Sequence, residues 1–131
     1  TPACGFVTPT GAFFIGLIGG VVCFWASTSL KRMLGYDDSL DVFGIHGMGG
    51  LTGAMLTGVF ASTSVNTTAG LLEGNGGQVV TQVYGVLATV VWCGIATFVI
   101  LKIVDLVVGL RVGKDTEIEG LDINLHGEVV P

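Results

Sequence analysis

The chain has 131 residues, of which 50% are hydrophobic, 11% are charged and 22 are glycine. A soluble domain of this length carries about a quarter charged residues, so the composition points to a membrane protein crossing the bilayer more than once and argues against a disordered segment. Glycine at this frequency without a triplet repeat is not collagen, and a formal net charge of −5 disfavours nucleic acid as a partner.

Three stretches are long and apolar enough to be read as transmembrane helices, since about 20 residues cross about 30 Å of hydrocarbon. The first covers 11–30. It carries Gly16 and Gly20, a GxxxG pair that lets two helix backbones approach closely; with nothing polar on that face, the pair reads as helix packing. Lys31 and Arg32 follow, then a short polar linker LGYDDSL rich in turn formers.

The second stretch covers 42–61, VFGIHGMGGLTGAMLTGVFA. His46 stands inside it. An ionisable group in a bilayer is costly and by default marks a site that handles a polar or proton-bearing ligand, although a lone helix histidine also serves as a neutral packing residue. Val42, His46, Gly49, Gly50 and Gly53 fall at helical spacings on one face, so an imidazole is flanked by bare backbone. Gly49 and Gly53 form a second GxxxG. Asp41, just before the stretch, is placed as its N-cap, with a pore-mouth carboxylate as the other reading.

The third stretch, 79–110, would be about 48 Å long as a single helix, so it must tilt or project into the cytosol. Lys102 and Asp105 are spaced to pair where it leaves the membrane. All 5 lysines and arginines follow the first or end the third stretch, and the loop 62–78 carries none. Positive residues stay inside, which puts the N-terminus and second loop outside and the first loop and C-terminus in the cytoplasm. Cys4, Cys23 and Cys93 have no ligand spacing and read as packing residues, so neither a metal site nor a bound cofactor is expected. A haem ligated by His46 would need a second ligand that the three stretches lack. No nucleophile, base and orienting group converge, so the chain is not expected to be an enzyme. An odd number of spans, a solitary histidine and a first residue that is not methionine predict that further helices belong to the same polypeptide.

Taken in order, TPACGFV, LKRMLGYDDSLDVFGIHGMGG, the helix ending DLVVGLRV and the tail EGLDINLHGE resemble the C-terminal portion of the ammonium transporters of the Amt/MEP/Rh superfamily. DVFGIHGMGG is similar to the Amt/MEP branch. The resemblance implies an all-α membrane protein of eleven helices, of which this chain supplies the last three within 1–110, assembled as a homotrimer in the lipid bilayer of the cell membrane. It implies that His46 is one member of a pore histidine pair whose partner lies outside this sequence. Val42 and, more distantly, Thr1 match pore-lining positions, and Asp41 matches the acidic residue at the head of the helix. His46 lies only about 7–8 Å along the helix from Asp41. A mid-pore histidine therefore implies an Asp41 that is itself buried. The tail 111–131 resembles a cytoplasmic regulatory segment, with a trimeric P-II type nitrogen regulatory protein as the implied partner, and His126 there reads as structural. The implied substrate is ammonium or ammonia. A membrane ammonium sensor and a neutral ammonia channel with little net ion flux are the alternatives.

Overall fold

The computed structural model describes residues 1–128; the last three positions of the expected tail, 129–131, lie outside the described residues. By backbone contacts the chain divides into two units, 1–89 and 90 onward.

In the first unit, α1 (Pro9–Trp25) runs through a π-helical turn (Ala26–Leu30) into α2 (Lys31–Leu34), so that Pro9–Leu34 is one continuous helix. Its start is set by Thr8, whose Oγ1 accepts from the Gly11 amide at 3.3 Å, and by Pro9, which needs no amide partner in the first turn. Its widened turn falls on the sequence ASTSL, where the Thr28 hydroxyl donates to the Phe24 carbonyl at 2.7 Å and competes with the regular ladder. Gly35 ends it, at φ +61°, with its amide donating to the Lys31 carbonyl at 2.9 Å.

The segment carrying His46 begins as a second π-helical turn (Phe43–Gly47) and continues as α3 (Met48–Phe60). It runs antiparallel to the first helix, and the contacts step along both in register. Gly11 lies against Phe60, Cys23 against Gly49, and Ser27 against Gly44; a Cβ at those glycines would sit 3.3 Å, 2.9 Å and 2.5 Å from the partner's nearest atom. Only small residues permit this approach, which is how helices gain contact where lipid supplies no hydrophobic force between them. The two π-helical turns therefore meet at Ser27 and Gly44. Ala3, Ala26 and Ala61 are the buried apolar residues among those described, while Phe13, Leu17, Phe24 and Val21 face outward.

Beyond Phe60 the chain turns back over its own beginning. Val7 and Ala61 form an isolated antiparallel bridge, and the Ser62 amide donates to the Phe6 carbonyl at 2.9 Å. Glu73, ending a 3-10 turn (Leu71–Glu73), closes the following loop: its carboxylate accepts from the Ser62 hydroxyl, from the Thr63 amide at 2.8 Å and from the Thr63 hydroxyl at 2.9 Å. These bonds, the Ser62 hydroxyl first among them, hold the Glu73 carboxyl below its ordinary range.

The helix α4 (Gly77–Val107) begins against Gly58 and continues into the second unit. It stops three residues short of the expected 110, because Gly109 takes φ +80° and its amide turns back to the Val104 carbonyl at 3.2 Å. Lys102 lies over the Phe98 ring, 5.9 Å from its centre, rather than pairing with Asp105. Large apolar side chains such as Trp92 and Phe98 are exposed along α4. The tail carries α5 (Lys114–Glu119) and a final π-helical turn (Asp122–His126). Arg111 pairs with Glu117 through two bonds, at 3.0 and 2.6 Å, which lowers the Glu117 carboxyl.

Among the described residues two helices, Pro9–Leu34 and Gly77–Val107, have the length and hydropathy to cross a membrane, and no strand forms. The sequence predicted three spans. The His46 segment is helical over the expected stretch but its apolar pattern is diluted by glycine and histidine.

Two outcomes follow from this packing. Gly44→Ala places a Cβ against Ser27 backbone and should lower stability by about 1–3 kcal/mol in thermal unfolding of the detergent-solubilised full-length protein. Gly20→Ala, which meets nothing within 4 Å among the described residues, is the control, expected within about 0.5 kcal/mol of wild type; equal effects would contradict the assigned crossing. Glu73, with its folded-state carboxyl lowered, contributes stability above its ordinary value of 4.5 and loses it as pH falls through the depressed value. The melting-temperature gap between wild type and Glu73→Gln should accordingly be open near neutral pH and close in acid.

Candidate functional site

The two glycine-bearing helices leave an open groove of about 710 Å³ between them. One wall is α1, which presents Ile15, Gly16, Gly19, Gly20 and Cys23; the other is the His46 segment, which presents Ile45, His46, Gly49, Gly50 and Gly53. Thr1 and Pro2 close one end. His46, Thr1 and both GxxxG pairs, separate signals in the sequence, thus line one space.

The glycines do different things there. A Cβ at Gly49 would meet the Cys23 sulfur at 2.9 Å and one at Gly53 would meet the Pro2 ring at 3.2 Å, whereas Gly16, Gly19, Gly20 and Gly50 have nothing within 4 Å. The first two set the approach of the elements and the others keep the groove wide. Cys23 also donates a weak bond to the Ile45 carbonyl at 3.5 Å, beside His46. The imidazole is exposed to the groove, in the last part of the π-helical turn.

Val42 is exposed, stands one turn before His46 and does not line this groove. The head of the segment departs from the expected cap. Asp41 holds the cap position in the backbone, its carbonyl accepting from the Ile45 amide at 2.9 Å, but at φ +55° its side chain turns away. The carboxylate that satisfies the first amides is Asp38's, which accepts from Val42 at 2.8 Å and from Phe43 at 2.8 Å. Asp41 instead accepts from Lys31 Nζ at 2.8 Å, and Lys31 also donates to the Asp38 carbonyl. The Asp41 carboxylate is thus engaged by a cation from the first helix.

Sequence reasoning missed Lys31, Asp38, Ser27 and Gly44. Three aspartates in LGYDDSLDV signal a cap without telling which of them serves, because the choice depends on the left-handed backbone at Asp41. Among the described residues no group of three or more His, Cys, Asp or Glu could hold a metal ion.

Helices with exposed apolar faces, held by glycine contacts around a groove with one imidazole, define an all-α membrane protein. The chain belongs to the Ammonium Transporter Family, whose model matches residues 1–130. Membership places it in a family of transporters and not of enzymes. It is similar to the ammonium transporter of Bacillus subtilis, 51% identical over 130 residues, 98% of this chain and 32% of that protein. Against the ammonium transporter of Aquifex aeolicus it is 52% identical over 128 residues, 98% of this chain and 30% of the relative. With ammonium transporter Amt1 of Archaeoglobus fulgidus the identity is 44% over 130 residues, 98% of this chain and 33% of the relative. The chain thus spans about a third of the length of the curated relatives it matches.

The cap assignment has a direct readout. In Asp38→Ala the amides of Val42 and Phe43 should exchange with solvent faster, at a cost of about 1–2 kcal/mol. Asp41→Asn should leave those two amides protected; the reverse pattern would return the cap to Asp41.

Proposed function

We propose that this chain forms one wall of a narrow pore that carries ammonium nitrogen across the cell membrane, with His46 as one of two facing histidines. The observation that supports this reading is the groove itself, in which a single imidazole stands among glycines and short apolar side chains. The relatives' names add the substrate: all three are ammonium transporters.

Ammonium is held in water by its charge, and an apolar groove offers nothing to replace that hydration, so the bare ion is penalised by many kcal/mol. Neutral ammonia is not. Deprotonation at the outer end lets ammonia cross the dry section, where an imidazole pair donates to it and accepts from it and passes the proton separately. Potassium has no proton to give up and is refused. Val42 belongs to the inner apolar section and Thr1 to the wall at the opposite end. Gly49 and Gly53 set how closely the walls approach, Gly16 and Gly20 leave the room between them, and Asp41 acts structurally through Lys31.

The wider arrangement belongs to the same proposal. The His46 segment spans the membrane among other helices, making three spans here of eleven in a homotrimeric protein embedded in lipid, with the facing histidine from a part of the relatives' length that this chain does not cover. The basic residues put its N-terminus outside and its C-terminus in the cytoplasm. The segment 1–110 is then the transport part, and 111–131 a cytoplasmic regulatory tail open to a P-II type partner.

The test is ammonium-evoked current in proteoliposomes of the full-length protein, comparing wild type and His46→Ala with potassium as the control ion. A current specific for ammonium in wild type, and lost or no longer selective in the variant, is the expected outcome. Wild type without current but with ammonia-driven pH change would assign a neutral channel. Neither signal would assign a sensor.

A further inference from the structure

We infer that Lys31 is a positioning residue for His46, tying the end of the first helix to the head of the pore segment and fixing the direction of the imidazole. This rests on the transport reading above and extends it to a residue that does not touch the substrate path.

Cys23, Ser27 and Lys31 follow one another at four-residue spacing, so they form one stripe on the first helix. The stripe faces the His46 segment along its length: Cys23 at Gly49 and Ile45, Ser27 at Gly44, Lys31 at Asp41. The first two contacts are close but weak, one a thiol against a carbonyl, the other a hydroxyl that finds no hydrogen-bond partner among the described residues. Lys31 alone brings charge to the stripe. Its ammonium binds Asp41 Oδ1 at 2.8 Å, with the two side chains 28% and 36% exposed, and it also reaches the Asp38 carbonyl.

Both acceptors control the turn that holds His46. Asp41 keeps a left-handed backbone that a non-glycine residue rarely adopts, and its carbonyl starts the helix by accepting from Ile45. Asp38 fixes the amides of Val42 and Phe43. A π-helical turn is a rare and locally unfavourable widening that persists only when its surroundings impose it. With Lys31 removed, this turn has one fewer restraint at its head and is free to relax toward the regular helix. Such a change rotates His46 about the helix axis relative to the groove.

The experiment uses the full-length protein in liposomes with Lys31→Met, Lys31→Arg and the exchange Lys31→Asp with Asp41→Lys. Two readouts are taken: ammonium flux against potassium, and the rate at which diethyl pyrocarbonate labels His46, followed by mass spectrometry. Lys31→Met should alter His46 labelling and lower maximal flux by about five-fold, the population change that a part-exposed ion pair supports, with the apparent KM little moved. Lys31→Arg should retain both properties, and the exchange should recover them in part. A folded Lys31→Met with wild-type labelling overturns the inference. Should Lys31→Met not fold, the exchange variant decides: recovery of labelling upholds the inference and lack of recovery overturns it. A wild type that carries no ammonium removes the transport reading, and the labelling arm still judges Lys31 by itself.

Discussion

The close approach of Ser27 to Gly44 is the constraint on which the rest of the site depends. It brings two helix backbones to a separation that no side chain at position 44 would permit, and it does so where both helices widen into π-helical turns. From that crossing the register of the whole antiparallel pair follows, with Cys23 on Gly49 above it and Lys31 on Asp41 below. The groove is the consequence. Where the contacts are made by Gly44, Gly49 and Gly53 the elements touch, and where Gly16, Gly19, Gly20 and Gly50 face each other they leave space. Glycine thus supplies both the contact and the room.

Very little of the first unit is held by a core in the ordinary sense. Its buried apolar residues are alanines at 7%, 0% and 2% exposure, and large side chains such as Phe13, Leu17 and Phe24 are exposed. In water this would be a poor fold, since burial of large apolar side chains is the main stabilising term. In a bilayer the same surface costs nothing, and the stabilising contribution passes to backbone hydrogen bonds, close van der Waals contact and polar links such as Lys31 with Asp41 and Glu73 with Ser62 and Thr63. The ends of the membrane elements carry these polar links, where water is at hand and their desolvation is cheap.

The fold class was legible because it depends on composition and on runs of about 20 apolar residues, which are properties of sequence alone. The residues of the groove were legible too: His46 by its rarity, the GxxxG pairs by their spacing. What escaped depended on backbone geometry that no periodicity encodes. The helix expected to reach 110 stops at Val107 because Gly109 takes a left-handed conformation, and a glycine in an apolar run gives no sign of doing so. The cap moved from Asp41 to Asp38 for the same kind of reason. Lys102 chose an aromatic face four residues back over a carboxylate three residues on, a choice between two contacts of comparable strength. Gly16 and Gly20 share the groove with an imidazole that comes from a different helix, and a one-helix face analysis could not see it.

The short distance from Asp41 to His46 is the remaining piece of physical logic. A carboxylate five residues from a histidine in mid-membrane would be costly if left alone, because an unpaired charge resists transfer from water. Here the charge is not alone. Lys31 neutralises it at 2.8 Å, and the Asp38 carboxylate spends both oxygens on backbone amides that would otherwise be orphaned at the head of the helix. The pair remains part-exposed, at 28% and 36%, so its desolvation is incomplete and its cost moderate. Of the two carboxylates at the head of the helix, Lys31 thus answers one and backbone amides answer the other.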